Sequence, residues 1–180
     1  MQSFEEKLLI LFKGYPGTGK SYFSKELSRY LNSPLLVRDK YKTLLYKHNY
    51  SEKEIGRKSY EMMWRLADKY LTQGNICICD TSLVQPTGIQ DIENLRKKFN
   101  ARILIIECFC RDKNIHQSRL QKRKLFPDYY GINSIEKYKA FIDANKKYDT
   151  FSFPYPTIQV DTSLDIDIES FVKTYTQFFN

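Results

Sequence analysis

An α/β fold built on a parallel sheet is what this chain of 180 residues predicts, from three observations. Short apolar runs of strand length recur along the sequence. Between them lie longer stretches whose apolar residues fall at helical spacing. The first apolar run also leads through a glycine-rich turn straight into the first helical stretch. Strands that alternate with helices imply right-handed crossovers, and so a parallel sheet covered on both faces.

Lys7-Leu8-Leu9-Ile10-Leu11-Phe12-Lys13 reads as the first strand, continuous in apolar residues. Residues 21–31 follow as a helix, with Phe23, Leu27 and Leu31 on one face and charges opposite. Pro34-Leu35-Leu36-Val37-Arg38-Asp39 reads as a short strand ending in an acid, and residues 40–50 as a short helix. Ser51 and Glu54 fit a capping box, so a long amphipathic helix starts there and runs to about Gln73, ended by Gly74. Asn75-Ile76-Cys77-Ile78-Cys79-Asp80 is the third strand, again ending in an acid.

Residues 90–100 form a helix starting near Pro86 or Thr87, and residues 102–109 the fourth strand. Residues 113–125 form a basic helix, 126–133 a turn-rich stretch and 134–147 a further helix. The fifth strand spans 157–161 and a closing helix 166–178. With no internal repeat, low-complexity tract or linker, residues 1–180 are expected to be one domain.

Hydrophobic content of 42% and charged content of 28% are those of a soluble globular protein. No apolar stretch approaches the roughly 20 residues that span a bilayer. Glu5 and Glu6 stand where a secretory signal would carry basic residues. A cytoplasmic protein with no membrane association is expected. The net charge of +8 leaves nucleic acid open as a partner without favouring it, because no Lys/Arg block is long enough for a dedicated arm. The oligomeric state is not legible.

Four cysteines form two Cys-x-Cys pairs, Cys77/Cys79 and Cys108/Cys110, both inside apolar runs that read as buried strands. If their strands flank the first strand, two interstrand spacings hold the pairs about 10 Å apart. That is too far for shared zinc ligation at about 2.3 Å per bond. They read as reduced, small core hydrophobes.

Gly14-Tyr15-Pro16-Gly17-Thr18-Gly19-Lys20-Ser21 matches the phosphate-binding pattern G-x-x-x-x-G-K-[ST] at every fixed position. Glycines let backbone N–H groups converge on phosphate oxygens. Lys20 would place an ammonium near the β- and γ-phosphates, and Ser21 a hydroxyl on Mg²⁺. With Tyr22 just inside the following helix, this segment is the candidate ATP site, the helix N-terminus aimed at phosphate.

Asp80 ends its strand as a Walker B acid does and could hold Mg²⁺ opposite Ser21; a solvated strand-end aspartate is the plainer alternative. Asp39 is the candidate to orient a hydroxyl and accept its proton, with a helix N-cap as the alternative. Arg119 and Arg123, spaced i, i+4, share a face with His116 and could neutralise charge on transferring phosphate; a solvated basic face is the alternative. His116 itself reads as a surface or packing residue.

Tyr60, Met63, Trp64 and Ala67 read as core, with an acceptor pocket as the other use of such aromatics. Asn145-Lys146-Lys147-Tyr148-Asp149 has one residue too many for the guanine-reading Asn-Lys-x-Asp signature, and Asp80-Thr81-Ser82-Leu83 lacks the glycine of a GTPase switch. A GTPase is not expected.

Together the loop, Asp39, the 78–82 segment and Arg119-Leu120-Gln121-Lys122-Arg123 resemble the small P-loop kinase-like proteins known as AAA-domain ATP-binding proteins. That group is similar to zeta toxins, chloramphenicol phosphotransferase, gluconate kinase and the kinase domain of polynucleotide kinases. Asn145 to Asp149 and Ile158-Gln159-Val160-Asp161-Thr162-Ser163 extend the resemblance toward the C-terminus. It implies a three-layer P-loop fold of the nucleotide-kinase type, with five parallel strands in the order 2-3-1-4-5. It also implies ATP as donor and a mobile lid over 113–133 carrying Arg119 and Arg123, with Asp39 as base or acceptor ligand. Many members carry Asp-x-x-Arg here, and this chain has Lys42 in place of the arginine.

The expectation is an ATP- and Mg²⁺-dependent phosphotransferase. Its acceptor would be a hydroxyl of a small molecule, or the 5′-hydroxyl of a nucleic acid, seated against residues 41–70. The alternative is an ATP-binding switch that controls a partner interaction without catalysis.

Overall fold

The computed structural model describes residues 7–74, 76–86, 88–123, 131–132, 134–148 and 150–179. In chain order its elements are β1 (Leu8–Lys13), α1 (Lys20–Tyr30), β2 (Leu35–Val37), α2 (Arg38–Lys47), α3 (Glu52–Gln73) and β3 (Ile76–Asp80). Then come α4 (Ile89–Phe99), β4 (Arg102–Phe109), α5 (Lys113–Lys122), α6 (Ile135–Asn145), β5 (Thr157–Asp161), α7 (Ile168–Thr174) and α8 (Thr176–Phe179). The five strands form one sheet in the order β2-β3-β1-β4-β5. Every neighbouring pair is parallel.

Alternation along the strands assigns the two faces. Leu9, Leu11, Cys77, Cys79, Ile103 and Ile105 point toward Met63, Ala67 and Leu71 of α3 and Ile92 and Leu95 of α4. Leu8, Ile10, Phe12, Ile78, Leu104 and Ile106 point the other way, toward Phe23 and Leu27 of α1 and Phe171 of α7. The Phe23 ring meets Phe12 edge-on at 5.6 Å and Phe171 at 4.9 Å. Sheets buried on both faces read as continuous apolar runs, which is why the central strands were legible.

Register then fixes the site. Phe12 lies opposite Asp80, and Val37 opposite the same Asp80. The chain segments leaving β1, β2 and β3 therefore emerge side by side at one edge, where ligands bind in open α/β sheets.

Several boundaries depart from expectation. β2 stops at Val37, an extended N-cap residue (φ −105°, ψ 106°), and α2 begins at Arg38. Asp39 thus stands in the first turn of a helix, neither ending a strand nor capping. A carboxylate there is favoured by the helix dipole. Ser51 and Glu54 form the capping box at the start of α3, but Gly74 closes that helix in an extended conformation (φ −142°) rather than a left-handed one.

α4 starts after Gly88, and the expected start at Thr87 falls outside the described residues. α5 ends at Lys122 with Arg123 as its C-cap; residues 124–130 and 133 of the expected helix, lid and turn-rich stretch lie outside the described residues. The closing helix is two, parted at Tyr175.

β3 and β4 do flank β1. Cys77, Cys79 and Cys108 are buried, whereas Cys110 is only partly so. Beyond the end of β4, its thiol donates to the Asp112 carbonyl at 3.3 Å, so it is not the core residue expected. Among the described residues no helix is long and apolar enough to cross a membrane.

Candidate active site

The phosphate-loop segment leaves β1 at Gly14 and enters α1 at Lys20. Gly14 has φ 146°, and a Cβ there would lie 2.4 Å from the Cys108 carbonyl oxygen, so no other residue fits this turn. Gly19 has φ 77° and a Cβ there would lie 2.7 Å from Thr162 Oγ1. That close approach marks how tightly the loop sits on the end of β5.

Hydrogen bonds from three neighbours hold the loop. Gly14 N–H donates to the Ser82 carbonyl at 3.0 Å, beyond β3. Thr162 Oγ1, just past β5, donates to the Thr18 carbonyl at 2.6 Å and accepts from Arg119 Nη1 at 2.9 Å. Arg119 Nη2 donates to the Thr162 carbonyl at 2.7 Å. His116 Nε2 lies 2.9 Å from the Pro16 carbonyl, and its ring meets Tyr138 edge-on. His116 is thus a packing residue, with the particular task of seating the loop.

Thr162→Val would keep the shape but strand the Thr18 carbonyl and Arg119 Nη1, while Arg119 Nη2 keeps its bond to the Thr162 carbonyl. A buried group left unsatisfied costs about 1–3 kcal/mol. A lowered unfolding temperature together with weakened nucleotide binding is expected, measured by calorimetry on the same preparation.

Lys20 is buried at the first position of α1. Burial pushes its ammonium below the ordinary lysine range, while Asp80 and then Asp39 pull it back up. Asp80 is 4% exposed, and its Oδ1 has no hydrogen-bond partner among the described residues. Burial raises its carboxyl above the usual carboxylate range, opposed by Lys20 and by a hydrogen bond from Ser21. A buried carboxylate oxygen left open beside a serine hydroxyl is a donor set for a hard cation, so Ser21 and Asp80 fit Mg²⁺. Tyr22, next along α1, is 75% exposed.

Asp39 pairs with Lys42 at 2.9 Å, one helical turn on. Lys20, Asp39, Asp80 and Arg123 line one cleft of about 780 Å³. Arg119 does not reach it. The two arginines of α5 therefore diverge: Arg123 faces the cleft, and Arg119 grips Thr162 behind the loop.

The 41–70 segment expected to frame the acceptor supplies Lys42, Tyr46 and Glu52 to the lining, but the sequence did not mark the α6 side. Lys137 and Phe141 of α6 close the far side, where only the return of the chain across the sheet edge brings them. Arg38, which the apolar run before it places at a strand end, instead opens α2 and lines the cleft beside Asp39. Met63, Trp64 and Ala67 are core as expected, while Tyr60 also borders a smaller cavity of about 260 Å³. Asn145 ends α6 and is buried, accepting from Gln85 Nε2 at 2.7 Å; Asp149 lies outside the described residues.

A P-loop strand and helix, five parallel strands in this order and the lysine and carboxylates at their carboxyl edge define the P-loop kinase-like fold. A family model described as an AAA domain matches residues 9–140, and the chain belongs to that family. It is 27% identical over 184 residues to rat (Rattus norvegicus) 6-phosphofructo-2-kinase/fructose-2,6-bisphosphatase 3, covering 92% of this chain. The chain spans about a third (32%) of the length of that curated relative.

Two solved structures share the fold. One is a Chloroflexus aurantiacus protein described as a candidate kinase, with TM-score 0.73, 19% identity, and 97% and 99% of the two chains covered. The other is the shikimate kinase of Bacteroides thetaiotaomicron, with TM-score 0.56, 17% identity, and 96% and 98% covered.

Proposed function

We propose that this chain is an ATP- and Mg²⁺-dependent phosphotransferase that moves the γ-phosphate of ATP to a hydroxyl of an acceptor held in the cleft. The observation that carries the reading is the convergence of Lys20, Asp39, Asp80 and Arg123 on one cavity beside the phosphate loop. A binding switch would need the loop but not a carboxylate poised across the cleft from it.

Residues 14–22 bind the nucleotide, with the α1 N-terminus facing the phosphates. The Gly14 and Thr18 N–H groups stay engaged with the Ser82 and Tyr15 carbonyls and hold the loop in shape. Ser21 and Asp80 would hold Mg²⁺, which supplies positive charge to the β- and γ-phosphate oxygens. Lys20 and Arg123 neutralise charge on the transferring group. Asp39 orients the acceptor hydroxyl and takes its proton as the new O–P bond forms and the bond to ADP breaks. Arg119 acts through Thr162, fixing the loop rather than touching phosphate. Residues 113–133 form a lid within a single domain over 1–180, and α6 with the 41–70 segment frames the acceptor. The cytoplasm, where ATP is held, is the proposed location.

The test is transfer of labelled γ-phosphate from ATP, with Mg²⁺, to a cell metabolite extract, to fructose 6-phosphate (suggested by the rat relative's name) and to a 5′-hydroxyl oligonucleotide. A labelled product establishes the reading. No product, despite ATP binding that needs Lys20, moves the weight to the switch.

A further inference from the structure

The smaller cavity adjoins the main cleft and shares Arg38, Lys42, Glu52 and Phe141 with it. Arg38 is the unusual residue there. It is 9% exposed, and its guanidinium lies over the Tyr60 ring, 3.5 Å from the centroid. Nε donates to Ser59 Oγ at 3.1 Å and Nη2 to the Gly56 carbonyl at 3.0 Å. Among the described residues Nη1 has no partner, and no carboxylate forms an ion pair with the side chain.

Burial pushes the guanidinium below its ordinary range, with Tyr60 and then Asp39 pulling it back. A buried cation without an ion pair is costly unless a counter-charge arrives. The geometry also fixes the guanidinium as a flat, pre-set fork, the form suited to a carboxylate or phosphate group. Lys42 adds a second cation to the same wall.

Two further features shape the cavity for an occupant. Gly56 stands in the first turns of α3, where glycine weakens a helix, and a Cβ there would meet nothing within 4 Å. The missing side chain keeps that wall open. Across from it the Gln85 amide is locked by Asn145 at 2.7 Å, and Glu52 offers a carboxylate to a hydroxyl.

We infer that Arg38, with Lys42, is an anion subsite for the acceptor, which is a small hydroxylated acid, carboxylate or phosphate monoester, rather than a neutral alcohol. The inference rests on the phosphotransferase reading for the word acceptor, but its test does not need turnover. Arg38 lies next to Asp39 in the chain, so an anion held by the first would leave a hydroxyl of the same molecule within the cleft that the second lines.

Binding of glycerol, glycerate and glycerol 3-phosphate is measured by titration calorimetry at constant ionic strength, on the full chain with Mg-ADP filling the phosphate loop. Trp64, the single tryptophan, is stacked on Tyr60 at 6.0 Å and reports locally by fluorescence. One or both acids should bind at least about tenfold more tightly than glycerol, and Arg38→Gln should remove the difference, as suits a charge-assisted hydrogen bond. The two acids distinguish carboxylate from phosphate.

Gly56→Leu keeps Arg38 but fills the open wall. It should raise the unfolding temperature while lowering acid affinity, a combination that misfolding does not give. Acids that bind no better than glycerol, or a preference that survives Arg38→Gln, overturn the subsite. Arg38-dependent binding without phosphoryl transfer to any acceptor would instead keep the subsite and remove the kinase reading.

Discussion

Lys20→Ala should lower phosphoryl transfer by about 10³-fold or more, one of the two largest losses expected of a single substitution in this chain. Lys20 stands buried at the N-terminus of α1, where a positive group stabilises developing phosphate charge far more than it would in water. The substitution also changes stability with pH in a defined direction. Lys20 is the strongest brake on the raised Asp80 carboxyl, ahead of the Ser21 hydrogen bond, so its loss lets burial lift that carboxyl further.

A carboxyl that titrates higher when folded than when unfolded stabilises the fold at acid pH. That contribution is lost as pH rises through its folded-state titration. The unfolding temperature of the nucleotide-free variant should therefore fall more steeply than that of the natural chain as pH rises above the ordinary carboxylate range. Parallel pH profiles of thermal unfolding check this, and identical profiles would separate Lys20 from Asp80.

Asp39→Asn should reduce transfer by about 10²–10⁴-fold, the usual size of a lost general base, while leaving ATP affinity near its natural value. The amide keeps the shape and one hydrogen-bonding oxygen but cannot take the hydroxyl proton. Stability should barely move. The ion pair with Lys42 is partly exposed, and such pairs contribute at most about 1 kcal/mol. Single-turnover transfer and equilibrium ATP binding, measured on one preparation, separate the two effects. Equal transfer by the variant would take Asp39 out of the mechanism.

Local signals made the fold and half of the site legible. β4 begins and ends where its apolar run does, because a central strand covered on both faces has few polar positions to spare. β5, at the sheet edge, shows itself by alternation instead, with Ile158 and Val160 buried and Thr157 and Gln159 exposed. The glycine pattern and the acid ending β3 carry their geometry in a few adjacent residues. What escaped was set by contacts distant in sequence. Nothing near Arg119 says that it will turn from Arg123 to grip Thr162, 43 residues further on. Nothing around Phe141 says that α6 will close the cleft. Arg38 was lost to a boundary: the run into Asp39 looks extended until the helix that starts at Arg38 is known.

The ties on the phosphate loop bear on how fast a nucleotide can settle. Its carbonyls at Thr18 and Pro16 and its N–H at Gly14 are already engaged by Thr162, His116 and Ser82 before any ligand arrives. The chain lost that segment's freedom when it folded, so the phosphates meet a finished mould. Capture of ATP should then run as a single encounter-limited phase. Any slower step that follows belongs to the opposite bank of the cleft, where α6 lies.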